Sequence, residues 1–150
     1  MAKRPKSGDV LELTTPSGRI YLHYLGKHVD YGEGVAVCTA IHPATPPIGP
    51  DLFLDGYVTF YPVVAAAARG LAAVVGHLPS SGLPTRLRRP GARLGGEVRS
   101  WIIEDPSGEV VKQRLSAEEL RLPIAVIWNQ ALLTQRVAEG WRPEMDGSHE

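Results

Sequence analysis

Residues 57–76, YVTFYPVVAAAARGLAAVVG, decide how the chain is read. Tyr57, Thr59 and Tyr61 alternate with Val58 and Phe60, the period of a half-buried strand. Pro62 fits a first helical position, where a missing N–H costs nothing. VVAAAAR then supports about two helical turns, Arg69 suits the negative end of the helix dipole, and Gly70 suits a left-handed C-terminal position. LAAVVGHL resumes an apolar strand. Strand, short helix, strand reads as a corner turned at the edge of a sheet, with alanines letting the helix lie close to it.

On the N-terminal side, GDVLELTTPSGRIYLHYLG predicts a hairpin. Its strands alternate, Pro16 presets φ in the turn and Gly18 tolerates positive φ. GVAVCTAI is a third, nearly continuous apolar strand. HPATPPIGPD is too rich in proline for a helix or a central strand and reads as an ordered excursion. On the C-terminal side, PSSGLPTRLRRPGARLGGE reads as loop, with a short extended piece at Thr85–Arg88. EVRSWIIED and EVVKQRL flank PSG and predict a second hairpin. Ser116 stands three residues before Glu119, the spacing of a capping box. LPIAVIWN is extended, Asn129 caps a helix over QALLTQRVAE, and Gly140 ends it.

These signals predict a mainly β fold with minor α (α+β). The form is a bent antiparallel sheet or open small barrel, with two short helices at about 62–69 and 130–139. Val10, Val37, Phe60, Val75, Trp101, Ile103 and Ile127 are the expected core. A chain of 150 residues fits a single domain, 1–150, able to bury about 70% of its unfolded surface, with 143–150 a polar, frayed tail.

Lys plus Arg and Asp plus Glu each number 16, so the net charge is zero, and a general nucleic-acid coat, normally basic, is disfavoured. The single cysteine, Cys38, lies in an apolar run; it allows no intramolecular disulfide and points to a packing role in a reducing cytoplasm. The basic N-terminus lacks the apolar region of a signal peptide, and no apolar run approaches the ~20 residues that span a bilayer. No membrane association is expected.

Catalytic patterns are missing. His23, His28, His42, His77 and His149 form no helical metal-binding pair, and no Cys or acidic cluster completes a zinc pattern. His77 is the most interesting of them, since strand ends line clefts. GHLPSSG is no nucleophile elbow and GARLGG no phosphate loop. Asp9 and Glu12, three apart on a strand, point to opposite faces. No catalytic, cofactor or metal residue is assigned. Arg86, Arg88, Arg89, Arg93 and Arg99 stand against the lone Glu97, and this local excess suggests that Arg86, Arg88, Arg89 and Arg93 form a docking surface for a protein partner. RLRRPGARLGG carries no aromatic for base stacking, so nucleic acid is the less favoured partner. Trp101 and Trp128 suit a core, whereas Trp141 beside Gly140 suits an interface.

KSGDVLELTTPSGRIYLHYLG resembles the opening of the immunity protein 26 family, a G-D-hydrophobic strand, a glycine-bearing turn and an aromatic-containing strand. YVTFYPVVAAAARGLAAVVGHLP resembles that family's aromatic-Pro-Val segment, RSWIIEDPSGEV its W-x-hydrophobic hairpin, and LPIAVIWNQALLTQRVAEGW its C-terminal segment. Residues 42–50 and 86–93 depart from the pattern. The resemblance implies a bacterial cytoplasmic protein that binds and neutralises a cognate toxin by occlusion, without chemistry of its own. A small β-barrel module binding nucleic acid is the alternative.

Overall fold

The computed structural model describes residues 3–147. Mostly antiparallel strands with three short α-helices make it mainly β with minor α, as expected. The chain clusters into two compact units: residues up to Leu83 with Ile127–Trp141, and Pro84–Val126 with residues from Arg142 onward.

The first unit is built on β1 (Asp9–Thr15), β2 (Gly18–His28), β3 (Gly32–Val37), β4 (Tyr57–Phe60) and β5 (Ala73–His77), in the order β4-β3-β2-β1-β5. Gly18 closes the first hairpin at φ 134°, and a Cβ there would come within 2.6 Å of Ile41. That turn therefore needs glycine twice over, for conformation and for space. A bulge between Tyr24 and Gly26 breaks the β2–β3 register and bends the long second strand. No ladder joins β4 to β5 among the described residues, so the sheet is open.

The opening stretch is more than an edge corner. β4 and β5 lie at opposite edges, and α1 (Val63–Ala68) carries the chain from one to the other. Pro62 sits one residue earlier than expected, as N-cap, and Gly70 is left-handed at φ 74°. The Leu71 N–H donates to Ala66 and the Gly70 N–H to Ala67, satisfying the last carbonyls. Val63, Ala66 and Ala67 pack into the main core with Leu11, Leu13, Leu22, Val35 and Val37. Methyl side chains keep this helix close to the pleated surface.

α3 (Gln130–Glu139) adds Leu133 and Val137 to that core, capped by Asn129 and ended by left-handed Gly140. In the extended segment just before it, Ile127 makes a parallel bridge to Phe60. Trp128 points inward, so by strand alternation Ile127 points out and is 56% exposed, correcting its place in the expected core. Val75 is corrected likewise: Val10 opposes Gly76 and Leu11 opposes Val74, leaving Val75 as the extra residue of a bulge. The proline-rich excursion is ordered. Arg19 and His42 exchange backbone hydrogen bonds, and Ile48, Leu52 and Phe53 pack with Val10, Tyr21 and Cys38.

The second unit holds β6 (Leu87–Pro90), β7 (Arg93–Leu94), β8 (Glu97–Val98), β9 (Trp101–Asp105), β10 (Gly108–Lys112) and α2 (Ala117–Leu120). β10-β9-β6 form one sheet and β7-β8 a small hairpin within the stretch expected to be loop. Gly95 and Gly96, at φ 60° and 84°, supply the two positive angles of a primed two-residue turn. Ser116 and Glu119 make the expected capping box. Pro143–Met145 is a 3-10 turn with Pro143 buried, so the supposed tail is ordered there, and residues 148–150 lie outside the described part. Among the described residues no helix is long and apolar enough to cross a membrane.

Candidate functional site

The arginine-rich stretch is a strand, and alternation divides it. Arg88 opposes Ile103 on the inner face and is fully buried, while Arg89 turns outward. The Arg88 guanidinium lies 4.1 Å from the Trp101 ring centroid. Its Nη2 donates to the carbonyls of Leu120 (3.2 Å) and Pro143 (2.6 Å), while Nε and Nη1 find no acceptor among the described residues. Burial pulls its pKa down to about 10, against the opposing pull of Asp146 and Glu144. Arg88 is therefore no surface residue, which corrects the expected four-arginine surface.

The other arginines differ in their partners. Arg89 lies 3.5 Å from Glu104 and 3.0 Å from Glu109. Arg86 lies 3.8 Å from both Glu118 and Glu119. Glu119 also takes two contacts from Lys112 Nζ, at 2.7 and 2.8 Å. Burial would raise its carboxyl, but Lys112 and Ser116 outweigh that and hold it below its ordinary value. Arg93 projects from the β7–β8 hairpin, exposed beside Leu94. What looked like a bare basic loop is largely charge-matched within its own unit.

Trp141 also turns inward. Its ring stands edge-on to Trp128 (5.1 Å) and Tyr57 (5.2 Å), and the Arg136 guanidinium lies 4.3 Å from the Trp141 centroid and 4.8 Å from that of Trp128. The aromatic expected at an interface fastens the end of α3 to the core, half-buried as it does so.

The open surface of the second unit lies elsewhere, on β10. It is an edge strand, and no strand among the described residues pairs with its outer side. Val110 is 58% and Val111 67% exposed. Neighbouring side chains on a strand point to opposite faces, so this edge is apolar on both. The doublet Val110–Val111 in EVVKQRL was the signal in the sequence: in a small sheet, two adjacent apolar residues cannot both enter one core.

In the first unit, the buried carboxylate of Asp9 accepts from His77 Nδ1 at 2.9 Å and from the Lys6 N–H at 3.0 Å. Burial would raise Asp9, but these hydrogen bonds and nearby Lys3 hold it below its ordinary value. His77, at a strand end as expected, is half exposed. Glu12 accepts from the Tyr21 hydroxyl (2.6 Å) and Thr45 (2.9 Å) on the opposite face. Cys38 Sγ lies 3.7 Å from His42 Nε2, but burial raises the thiol, and a protonated thiol is a poor nucleophile. No group of three or more His, Cys, Asp or Glu among the described residues is placed to hold a metal, and His149 lies outside them. Compared with family models, curated proteins and solved structures, the chain finds no match.

Proposed function

We propose that the chain is a protein-binding module of the immunity type, which covers a cognate protein toxin and performs no chemistry of its own. The observation that carries this reading is the β10 edge, with Val110 and Val111 exposed and an outer side that no described strand occupies. Globular proteins guard such edges with prolines, bulges or inward charges, because an open row of N–H and C=O groups recruits another strand. A partner strand added to Gly108–Lys112 would gain main-chain hydrogen bonds and seat alternate side chains against the two valines. Arg89, Glu104 and Glu109 at one margin supply a rim of both signs, suited to a partner of mixed charge. Identification of the partner as a toxin rests on the sequence resemblance, and placement in the cytoplasm on that resemblance together with the single cysteine.

The test is co-expression with the product of the adjacent gene. The wild type should restore growth and co-purify with that product. Val110→Lys/Val111→Lys should leave the melting temperature unchanged, since both side chains are exposed, and weaken capture by about a hundredfold or more. A folded double variant that binds as well as wild type removes the edge from the mechanism. A neighbouring product that is neither toxic nor bound overturns the immunity reading. A salt-sensitive mobility shift with single-stranded RNA would favour the nucleic-acid alternative instead.

A further inference from the structure

The first unit carries a cleft of about 600 Å³. Tyr24 and Lys27 enter it from β2, Glu33 from β3, Val64 and Ala65 from the first turn of α1, and Arg4 from the segment before β1. The β2–β3 bulge lies between Tyr24 and Lys27, where such a defect re-aims side chains. Two cations and one carboxylate thus face an apolar wall.

Neither Arg4 nor Lys27 is held in an ion pair among the described residues, unlike Arg86 and Arg89. Glu33 is occupied in part: its Oε1 accepts from the Val64 N–H at 3.4 Å. Tyr24 is 7% exposed, and its hydroxyl makes no hydrogen bond to a described residue. Burial raises its phenol, Glu33 adds to the rise and Arg4 opposes it, so both charges lie within electrostatic reach and the hydroxyl keeps its proton at neutral pH. A buried donor, two cations and a hydrophobic wall converging on one cavity are the ordinary makings of a small-molecule site.

We propose that this cleft binds a small organic anion, a carboxylate or phosphate monoester on an apolar body. The anionic head sits between Arg4 and Lys27, with the Tyr24 hydroxyl donating to it. The body rests on Val64 and Ala65. Glu33 selects for ligands that carry a donor near the head, because a second anion there would be repelled. The site uses no residue of the proposed protein-docking edge, so the two readings stand or fall apart.

The test is a titration of the isotopically labelled full chain with phenyl phosphate, benzoate and benzyl alcohol, followed by amide NMR. The two anions should shift the Tyr24, Lys27, Val64 and Ala65 resonances saturably at millimolar concentration or below, and the tighter of them identifies the preferred head group. The neutral alcohol should not shift them. Arg4→Gln/Lys27→Gln should weaken binding about tenfold or more with the melting temperature unchanged. Equal shifts with benzyl alcohol, shifts spread evenly over every arginine and lysine, or undiminished binding by the double variant would each overturn the proposal.

Discussion

Trp101→Ala probes the least ordinary contact in the second unit, the indole beneath a buried guanidinium. Trp101 is 4% exposed, and a buried tryptophan removes about 150–250 Å² from water. At about 25 cal/mol per Å² that is about 4–6 kcal/mol as an upper figure, close to the 3–5 kcal/mol typical of truncating a core aromatic. The ring also supports Arg88 at 4.1 Å, an arrangement worth about 2 kcal/mol where solvent is excluded. A loss of about 4 kcal/mol, or about 8–16 °C in melting temperature for a chain of this size, is expected. Arg88→Met then isolates the pair. It removes two hydrogen bonds to carbonyls but also a charge whose pKa is pulled to about 10 by burial, so its own cost should stay within about 2 kcal/mol. Because that folded pKa is below the unfolded one, the charge costs stability at neutral pH. The cost is relieved only as pH climbs past about 10, where other groups titrate, so mutation is the cleaner probe. The double-mutant cycle, read by chemical denaturation, should show a coupling of about 1–2 kcal/mol. A melting temperature lowered by less than about 3 °C would show that Trp101 is not interior. Zero coupling would show that the guanidinium does not rest on it.

Asp9, held below its ordinary value, lends stability above the usual carboxylate range and loses it as pH falls through its lowered pKa. Asp9→Asn should cost about 1.5 kcal/mol at neutral pH and flatten the acid limb of the stability profile; an unchanged acid limb refutes this. Ser116→Ala removes the hydroxyl that accepts from the Glu119 N–H at 3.1 Å and should cost about 1 kcal/mol by denaturant titration. Gly140→Ala forces a side chain to φ 69° and should cost about 1 kcal/mol, whereas Gly49→Ala, with open space and an extended backbone, should cost much less.

Local chemistry was readable where it acts over a few residues. The TPSG and PSG turns, the Ser116–Glu119 box, the Asn129 cap and the Gly140 stop all lie where propensity puts them. Three of the failures share one physical origin, partners distant in sequence. That β5 pairs with β1, far from its chain neighbour β4, depends on a ladder across more than sixty residues. Val75 is exposed by a bulge that exists only within that ladder. Arg88 and Arg89 are chemically identical, and only the pairing of β6 with β9 decides which of them enters the core. The candidate cleft is likewise assembled by folding: Lys27 and Glu33 oppose each other across the β2–β3 hairpin, but Arg4 and Val64 reach them from distant parts of the chain.

The interleaving of the two units sets an order for synthesis. The first unit recovers its last core residues, Trp128, Leu133 and Val137, only after Pro84–Val126 has been made. At ribosomal speeds of about 5–20 residues per second, the nascent five-stranded sheet, finished at His77, waits about 3–12 s for α3 to be completed at Glu139. Throughout that interval the sheet face that α3 will cover is accessible to chaperones and to other nascent chains. A stop codon in the second unit would therefore damage the first, and the N-terminal sheet alone should be recovered as an aggregation-prone fragment.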